Sequence, residues 1–409
     1  MAKTIALLGA LDTKGAEYGF VKDCLEARGH QALVIDVGVL GPPAIPPDVT
    51  REEIARAAGA DLAALRAQRD RGEAVAVMSR GAARLLPQLH AQRRFDGVLA
   101  LGGSGGTSVA CAAMRALPLG VPKVMVSTVA SGEVSGYVGV TDIVMIPSIV
   151  DVAGLNRISR EVFARAAGAI CGMVETEVPR GQDKPLLVAS MFGNTTPAVE
   201  RAKAILEGAG YEVLVFHATG TGGRTMESLV ESGLIAGVLD ITTTEWADEL
   251  VGGVFTAGPT RLEAAARRGV PAIVVPGCLD MVNFRAPATV PVQFKDRKLY
   301  PHNPNVTLMR TNVEENRRLG DIFAEKLNAS TGPVTVLLPL QGLSMIDAPG
   351  GPFWWPEADA AFVAALKAGL RPGIPVIAMD CHINDPPFAE RCARCLLENL
   401  PCLSPEPKS

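Results

Sequence analysis

The feature that most constrains the fold is a pattern written twice along the chain. Residues 4–9 (TIALLG) form a continuous apolar run of strand length, residues 16–28 place Val21, Cys24 and Leu25 on one helical face, and Gly29 precedes a second apolar run at residues 32–36. That succession is a β-α-β unit. The same succession returns after Pro185, where Cys24-Leu25-Glu26 through Val34-Ile35-Asp36 aligns without a gap on Ile205-Leu206-Glu207 through Val215-Phe216-His217. Further on, FDGVLALGGS from Phe95 matches IAGVLDITTT from Ile235, and GVPKVMVST from Gly120 matches GVPAIVVPG from Gly269. Three matches in one order predict an α/β chain of two Rossmann-like, doubly wound domains with mainly parallel sheets, related by internal duplication.

A chain of 409 residues is also too long for one ordinary domain. The charged segment 175–184 (ETEVPRGQDK) is the natural linker, dividing the chain into an N-terminal nucleotide-binding domain, 1–180, and a C-terminal domain, 181–409. Apolar content is 48% with only 5% aromatic residues, the mixture of small and β-branched side chains that packs helices onto buried parallel strands. The first half carries an excursion at residues 39–92, Pro-rich at its start and Ala/Arg-rich later. The second half adds strands at 333–338 and 375–380 with a helix at 357–367 between them, and residues after Pro401 read as disordered.

A net charge of −4 supplies no basic field for nucleic acid. The N-terminus has no apolar stretch of signal length, and the longest charge-free segment, 97–114, is interrupted by five glycines, against a membrane span. Eight cysteines without a secreted-type framework point to reduced thiols and a cytoplasmic location.

In open parallel sheets ligands sit at the carboxyl ends of strands, where glycines let the backbone approach a phosphate and hydroxyls complete the cradle. Three segments of the first half fit: Asp12, Thr13, Lys14 and Gly15; Gly102, Gly103, Ser104, Gly105, Gly106 and Thr107 ahead of a helix at 109–117; and Thr128, Ser131 and Gly132. No GxxxxGK[ST] occurs, and the GxGxxG fingerprint fails at Ser108 and at Leu11, so a P-loop and a dinucleotide site are both disfavoured, although Asp36 stands where a ribose-binding acid would. Any strand-to-helix turn favours Gly and Ser, but GGSGGTS is denser than turn geometry requires. In the second half, His217 beside the TGTGGR loop, Arg224 within it, Glu245 and Asp280 are the candidate catalytic groups, His217 being as well explained by a hydrogen-bonded strand end. Cys381, His382, Cys392 and Cys395 have the makings of a zinc site, but the last two fall on the apolar face of one helix, so no metal site is assigned.

The motifs LDTKG, LGGSGGTS, KVMVSTVASG, DIVMIPSIVDVAGLNRIS, MFGNTTP, FHATGTGGRTME, DITTTE, VPGCLDMVNF, HNPNVTLMRT and HINDPPFA, spread from about Ala2 to Ala389, resemble the ATP-binding domain family of the tomato tobamovirus-resistance protein. That resemblance implies two Rossmann-like domains, ATP (with Mg²⁺) as cofactor, and self-association as a homodimer. It places the nucleotide on the first-half segments already chosen. The plant relatives carry a further C-terminal TIM-barrel-like domain that this sequence does not contain. The leading expectation is an ATP-dependent ligase or phosphotransferase acting on a small carboxylate or hydroxyl substrate in an interdomain cleft. The competing expectation is a non-catalytic, nucleotide-dependent sensor or adaptor that binds a partner protein. A hydride-transferring dehydrogenase is disfavoured by the failed glycine fingerprint.

Overall fold

A computed structural model describes residues 2–179, 181 and 183–401. Part of the expected linker (180 and 182) and the tail after Pro401, read as disordered, lie outside the described residues. The chain divides into two compact units, Met1–Arg180 and Gly181–Ser409.

The first unit is built on five parallel strands, β1 (Thr4–Gly9), β2 (Gln31–Asp36), β3 (Gly97–Gly102), β4 (Lys123–Ser127) and β5 (Val144–Pro147), in the order β2-β1-β3-β4-β5. The two-residue period of a strand decides which helices each side chain meets. Ile5 and Leu7 pack with Val21, Leu25, Phe163 and Ile170 of the helices Leu11–Glu26 and Arg157–Glu175. Ala6 and Leu8 pack with Ile54, Met78, Leu86 and Met114 of the helices Arg51–Ala57, Arg71–Ala91 and Ser104–Arg115. The excursion of residues 39–92 is thus a helical layer over one face, completed by the short helix Leu62–Gln68.

The second unit repeats the plan and enlarges it. Its strands β6 (Leu186–Met191), β7 (Glu212–His217), β8 (Ile235–Thr242) and β9 (Ala272–Gly277) are followed by a three-stranded antiparallel sheet of β10 (Met281–Phe284), β11 (Leu299–Asn303) and β12 (Val306–Arg310). The chain then returns as β13 (Val334–Pro339) and β14 (Val376–Met379), with the helix Pro356–Gly369 between them. The main sheet runs β14-β13-β9-β8-β6-β7, all parallel. Its first four strands therefore follow the neighbour order of β1 to β4, which is what an internal repeat requires. In both units the chain reverses its direction of winding beside the first strand, at β1/β3 and β6/β8, the position where open α/β sheets bind ligands.

Candidate functional site

The strand exits of the first unit differ from the sequence reading in one respect. The segments expected as loops are first turns of helices: β1 feeds the helix Leu11–Glu26 through Ala10, and β3 feeds the helix Ser104–Arg115 through Gly103, rather than helices beginning at 16 and 109. Gly, Ser and Thr are poor helix formers inside a helix, but at its first turn that penalty is small because the amides there have no intrahelical partner anyway. The first helix bears the mark of the change as a kink, Lys14 sitting at φ −127° and ψ 16°.

Tyr18 fixes the crevice between β1 and β3. Its ring covers Gly9, where a Cβ would fall 2.0 Å from the ring, and its hydroxyl receives the Leu101 amide at 2.8 Å while lying 2.6 Å from the Leu8 carbonyl. Burial raises the Tyr18 phenol far above its ordinary range. Asp36 is fully buried and accepts the amides of Leu11 (3.1 Å) and Gly38 (2.8 Å), so it ties loops together at the position of a ribose-binding acid. Asp12 does the same for the next loop, accepting the amides of Leu40 (2.7 Å) and Gly41 (3.2 Å). The Lys14 ammonium is engaged by the Val152 carbonyl, and Gly15 packs against Ala44. Thr13 is exposed.

The turn after β3 is different in kind. None of Gly102, Gly103, Gly105 and Gly106 has positive φ. A Cβ at 103, 105 or 106 would meet nothing nearer than 3.6 Å; only Gly102, 3.1 Å from the Gly106 Cα, is pressed by its own chain. No side chain caps the helix that starts at Ser104. Thr107 is buried and turned inward, its hydroxyl donating to the Gly103 carbonyl at 2.8 Å and pairing with Ser127 at 2.6 Å. The Thr128 hydroxyl lies 3.7 Å from the Gly103 Cβ position, and Thr128 and Ser131 line a cavity of about 340 Å³ with Ser148, Ile149 and Asp151. Gly132 lies in an exposed turn, its amide donating to the Val129 carbonyl. On the other side Asp12, Thr13, Gly105 and Gly106 share the wall of a cavity of about 660 Å³ with the loop after β2 and the helices Leu62–Gln68 and Arg71–Ala91. Asp12 and Thr13 are thus brought together with Gly105 and Gly106, while Thr128 and Ser131 open on a separate cavity. Sequence reasoning missed the excursion's share of the site; the only trace is the arginine spacing of Arg66, Arg69 and Arg71 around the capping Asp70.

Of the four candidate catalytic residues of the second unit, Glu245 and Arg224 both meet the start of the helix Thr221–Glu231, close in the chain to His217, whereas Asp280 is bonded to Ser344. Glu245 is buried and accepts the amides of Gly220 (2.7 Å) and Gly223 (3.0 Å) while Arg261 binds its other oxygen at 2.8 Å. It is an internal anion seated on the helix Thr221–Glu231. Arg261, wholly buried, also grips Asp240 with both terminal nitrogens and reaches Glu227. Burial raises the carboxyls of Glu245 and Glu227 despite that guanidinium. Asp280 is enclosed, accepts the Ser344 hydroxyl at 2.8 Å, and is held well above the usual carboxylate range by burial and by Asp347. Arg224 donates to the Thr256 carbonyl and to Thr221. His217 is exposed, and among the described residues its imidazole has no hydrogen-bond or ionic partner. His382 closes onto the Ser344 carbonyl at 2.8 Å, whereas Cys392 and Cys395 pack in the core with Leu396 and Ala202, as their helical spacing predicts. No helix among the described residues is long and apolar enough to cross a membrane.

The first unit matches the N-terminal domain of "Uncharacterised protein family (UPF0261)" over residues 3–179, and the second matches the C-terminal domain of that family over residues 184–400. The chain belongs to the UPF0261 family. A UPF0261 protein of Clostridium tetani is 49% identical over 98% of this chain and 100% of its own length. One from Rhizobium meliloti is 47% identical over 95% and 97%. The ToMV resistance protein Tm-1 of Solanum lycopersicum is 43% identical over 81% of this chain, which spans 45% of that longer protein. The family resemblance read from the motifs thus holds at the level of descent. Among solved structures, UDP-N-acetylglucosamine 2-epimerase from Rickettsia bellii has a TM-score of 0.22 at 13% identity, covering 67% of this chain and 78% of that one, a likeness too loose to speak to ligand or activity.

Proposed function

We propose that this UPF0261 protein binds a nucleotide through its phosphates at residues 103–107, and that the nucleotide is ATP, as the family resemblance implies. The observation that carries the reading is the glycine run itself. Glycine at 103, 105 and 106 is demanded neither by backbone conformation nor by neighbours within the chain. What the missing Cβ atoms do provide is open approach to the uncapped amides of a helix N-terminus, where the helix dipole favours an anion. Mg²⁺ enters as the counter-ion of the polyphosphate.

Of the two functional classes, the nucleotide-dependent binding module is better supported than an ATP-consuming ligase or phosphotransferase. Three of the four groups expected to work on a substrate, Glu245, Asp280 and Arg224, are engaged in bonds within their own unit, and His217 alone is exposed and without a partner among the described residues. Gly103→Asp tests the binding reading. Gly103 is the N-cap, in extended conformation with room for a side chain, so Asp caps the helix and preserves the fold while setting a negative charge on the phosphate position. Calorimetric titration is expected to show ATP binding to the wild type and none to the variant; equal binding by both would falsify the assignment. Release of ADP, AMP or phosphate on incubation with cellular acids or sugars would restore the enzymatic class.

A further inference from the structure

The cavity of about 660 Å³ beside the glycine turn is continuous with it, because Gly105 and Gly106 belong to both. We propose that this cavity seats the base and ribose of the nucleotide, and that Arg71 and Arg69 supply the positive charge over its phosphates. This rests on the phosphate reading of residues 103–107 and extends it.

The walls come from three directions and are aliphatic: Val37 and Val39 follow β2, Leu65 comes from the helix Leu62–Gln68, and Val75 and Met78 come from the helix Arg71–Ala91. Walls of that kind and a volume within the range of small-ligand sites suit a flat, weakly polar ring. The mouth is cationic. Arg71 and Val75 are one helical turn apart and so share a face. A terminal nitrogen of Arg71 and a methyl of Val75 stand 3.7 Å and 3.6 Å from the Gly105 Cβ position, so the charged and apolar parts of the site meet at the helix N-terminus.

The available cations are settled by their partners. Lys14 is bound to the Val152 carbonyl and Arg66 to the Val39 carbonyl at 2.6 Å. Among the described residues, the guanidinium groups of Arg69 and Arg71 have no hydrogen-bond or ionic partner. Arg69 also holds a left-handed backbone, φ +53°, at the end of the helix Leu62–Gln68, a position that Gly or Asn usually fills. Its tight turn lets Asp70 cap the next helix and brings both arginines to one mouth. Two unpaired guanidinium forks added to a helix N-terminus exceed what a single carboxylate needs and match a polyphosphate. The wall also carries two carboxylates: Asp12, whose Oδ2 receives two loop amides and whose Oδ1 is buried without a partner, and Asp70, which receives the Glu73 amide at 3.0 Å.

The test uses the full chain and two probes, ATP and inorganic tripolyphosphate, titrated calorimetrically. The wild type is expected to bind ATP at least roughly tenfold more tightly than tripolyphosphate, the base and ribose being the difference. Val75→Trp fills the cavity from the helix and Val39→Trp fills it from the loop. Either one, with its circular dichroism and melting unchanged, is expected to bring ATP down to the affinity of tripolyphosphate and leave tripolyphosphate unaltered. Arg71→Ala is expected to weaken both probes by roughly tenfold or more, the loss of a charge-assisted contact. Equal binding of the two probes by the wild type, or ATP binding that survives both filled cavities, overturns the cavity assignment and leaves the phosphate reading standing. A wild type that binds neither probe overturns both.

Discussion

At Gly106 stability and function pull apart, which makes the residue diagnostic. It lies in the first turn of the helix Ser104–Arg115 with negative φ, and a Cβ there would come no closer than 3.7 Å to the Leu101 carbonyl. Gly106→Ala should therefore stabilise the chain by about 0.4–1 kcal/mol, through fewer unfolded conformations, and raise the melting temperature by roughly 2 °C. The same Cβ tilts toward the helix N-terminus, so ATP binding should weaken in the variant that melts higher. A Gly106→Ala protein that melts lower, or that binds ATP as before, contradicts this reading. Asp248 offers a second residue-scale test. Burial pushes its carboxyl up to about 8, against the opposing hydrogen bonds from Asn283 at 2.7 Å. Between its unfolded pKa near 4 and that value, the folded chain holds a proton that the unfolded chain has lost, so stability must fall as pH rises. The slope contributed is at most about 1.4 kcal/mol per pH unit, and burial raises Asp359 to about 7 with the same sign. Urea unfolding followed by tryptophan fluorescence should show the second unit more stable at pH 5.5 than at pH 8, and Asp248→Asn should flatten part of that difference.

Among the elements, two helix N-termini show opposite solutions to one electrostatic problem. The helix Thr221–Glu231 is closed by the Glu245 carboxylate, which the chain itself supplies and Arg261 holds in place; the helix Ser104–Arg115 has no such cap. Glu245→Ala leaves two buried amides and one face of a buried guanidinium without partners, and should cost the second unit about 3 kcal/mol. Tryptophan fluorescence in urea should report that loss, and ATP binding to the folded protein should be unchanged. An intact second unit with lost ATP-dependent activity would make Glu245 catalytic after all. The sequence carried most of the strands, because apolar runs such as TIALLG and VLALG admit few other readings. It sets the helix starts at 16 and 109 too late, because DTKG and GGSGGTS read as loops although Gly, Ser and Thr cost little in a helix's first turn. The candidate phosphate turn was legible as composition. The cavity was not, because Arg71 and Val75 are distant in sequence from Gly105 and meet it only when the excursion folds over the sheet. Nor does sequence reveal that Glu245 and Asp280 have partners, which come from Arg261 and Ser344 on other elements.

For the whole molecule, the division into two units makes the location of the ligand measurable without a ligand-bound structure. All three tryptophans, Trp246, Trp354 and Trp355, belong to the second unit, so their fluorescence follows that unit alone. Every group assigned here to the nucleotide, residues 103–107, Arg69, Arg71 and the aliphatic walls, belongs to the first. A ligand that binds only the native state adds about 2.7 kcal/mol at a hundredfold excess over its dissociation constant, and adds it to the part of the chain that must be folded to bind. Amide exchange in ATP should therefore slow at the exits of β1, β2 and β3 and in the helices Leu62–Gln68 and Arg71–Ala91. A melting component of the helical circular dichroism, which both units supply, should rise with ATP concentration, while the tryptophan transition of the second unit should stay where it is. Protection that appears instead in residues 219–224 or 277–282 would draw the second unit's strand exits into the ligand, and with them His217 and Asp280 as reacting groups. Protection confined to the first unit leaves the second outside the nucleotide site.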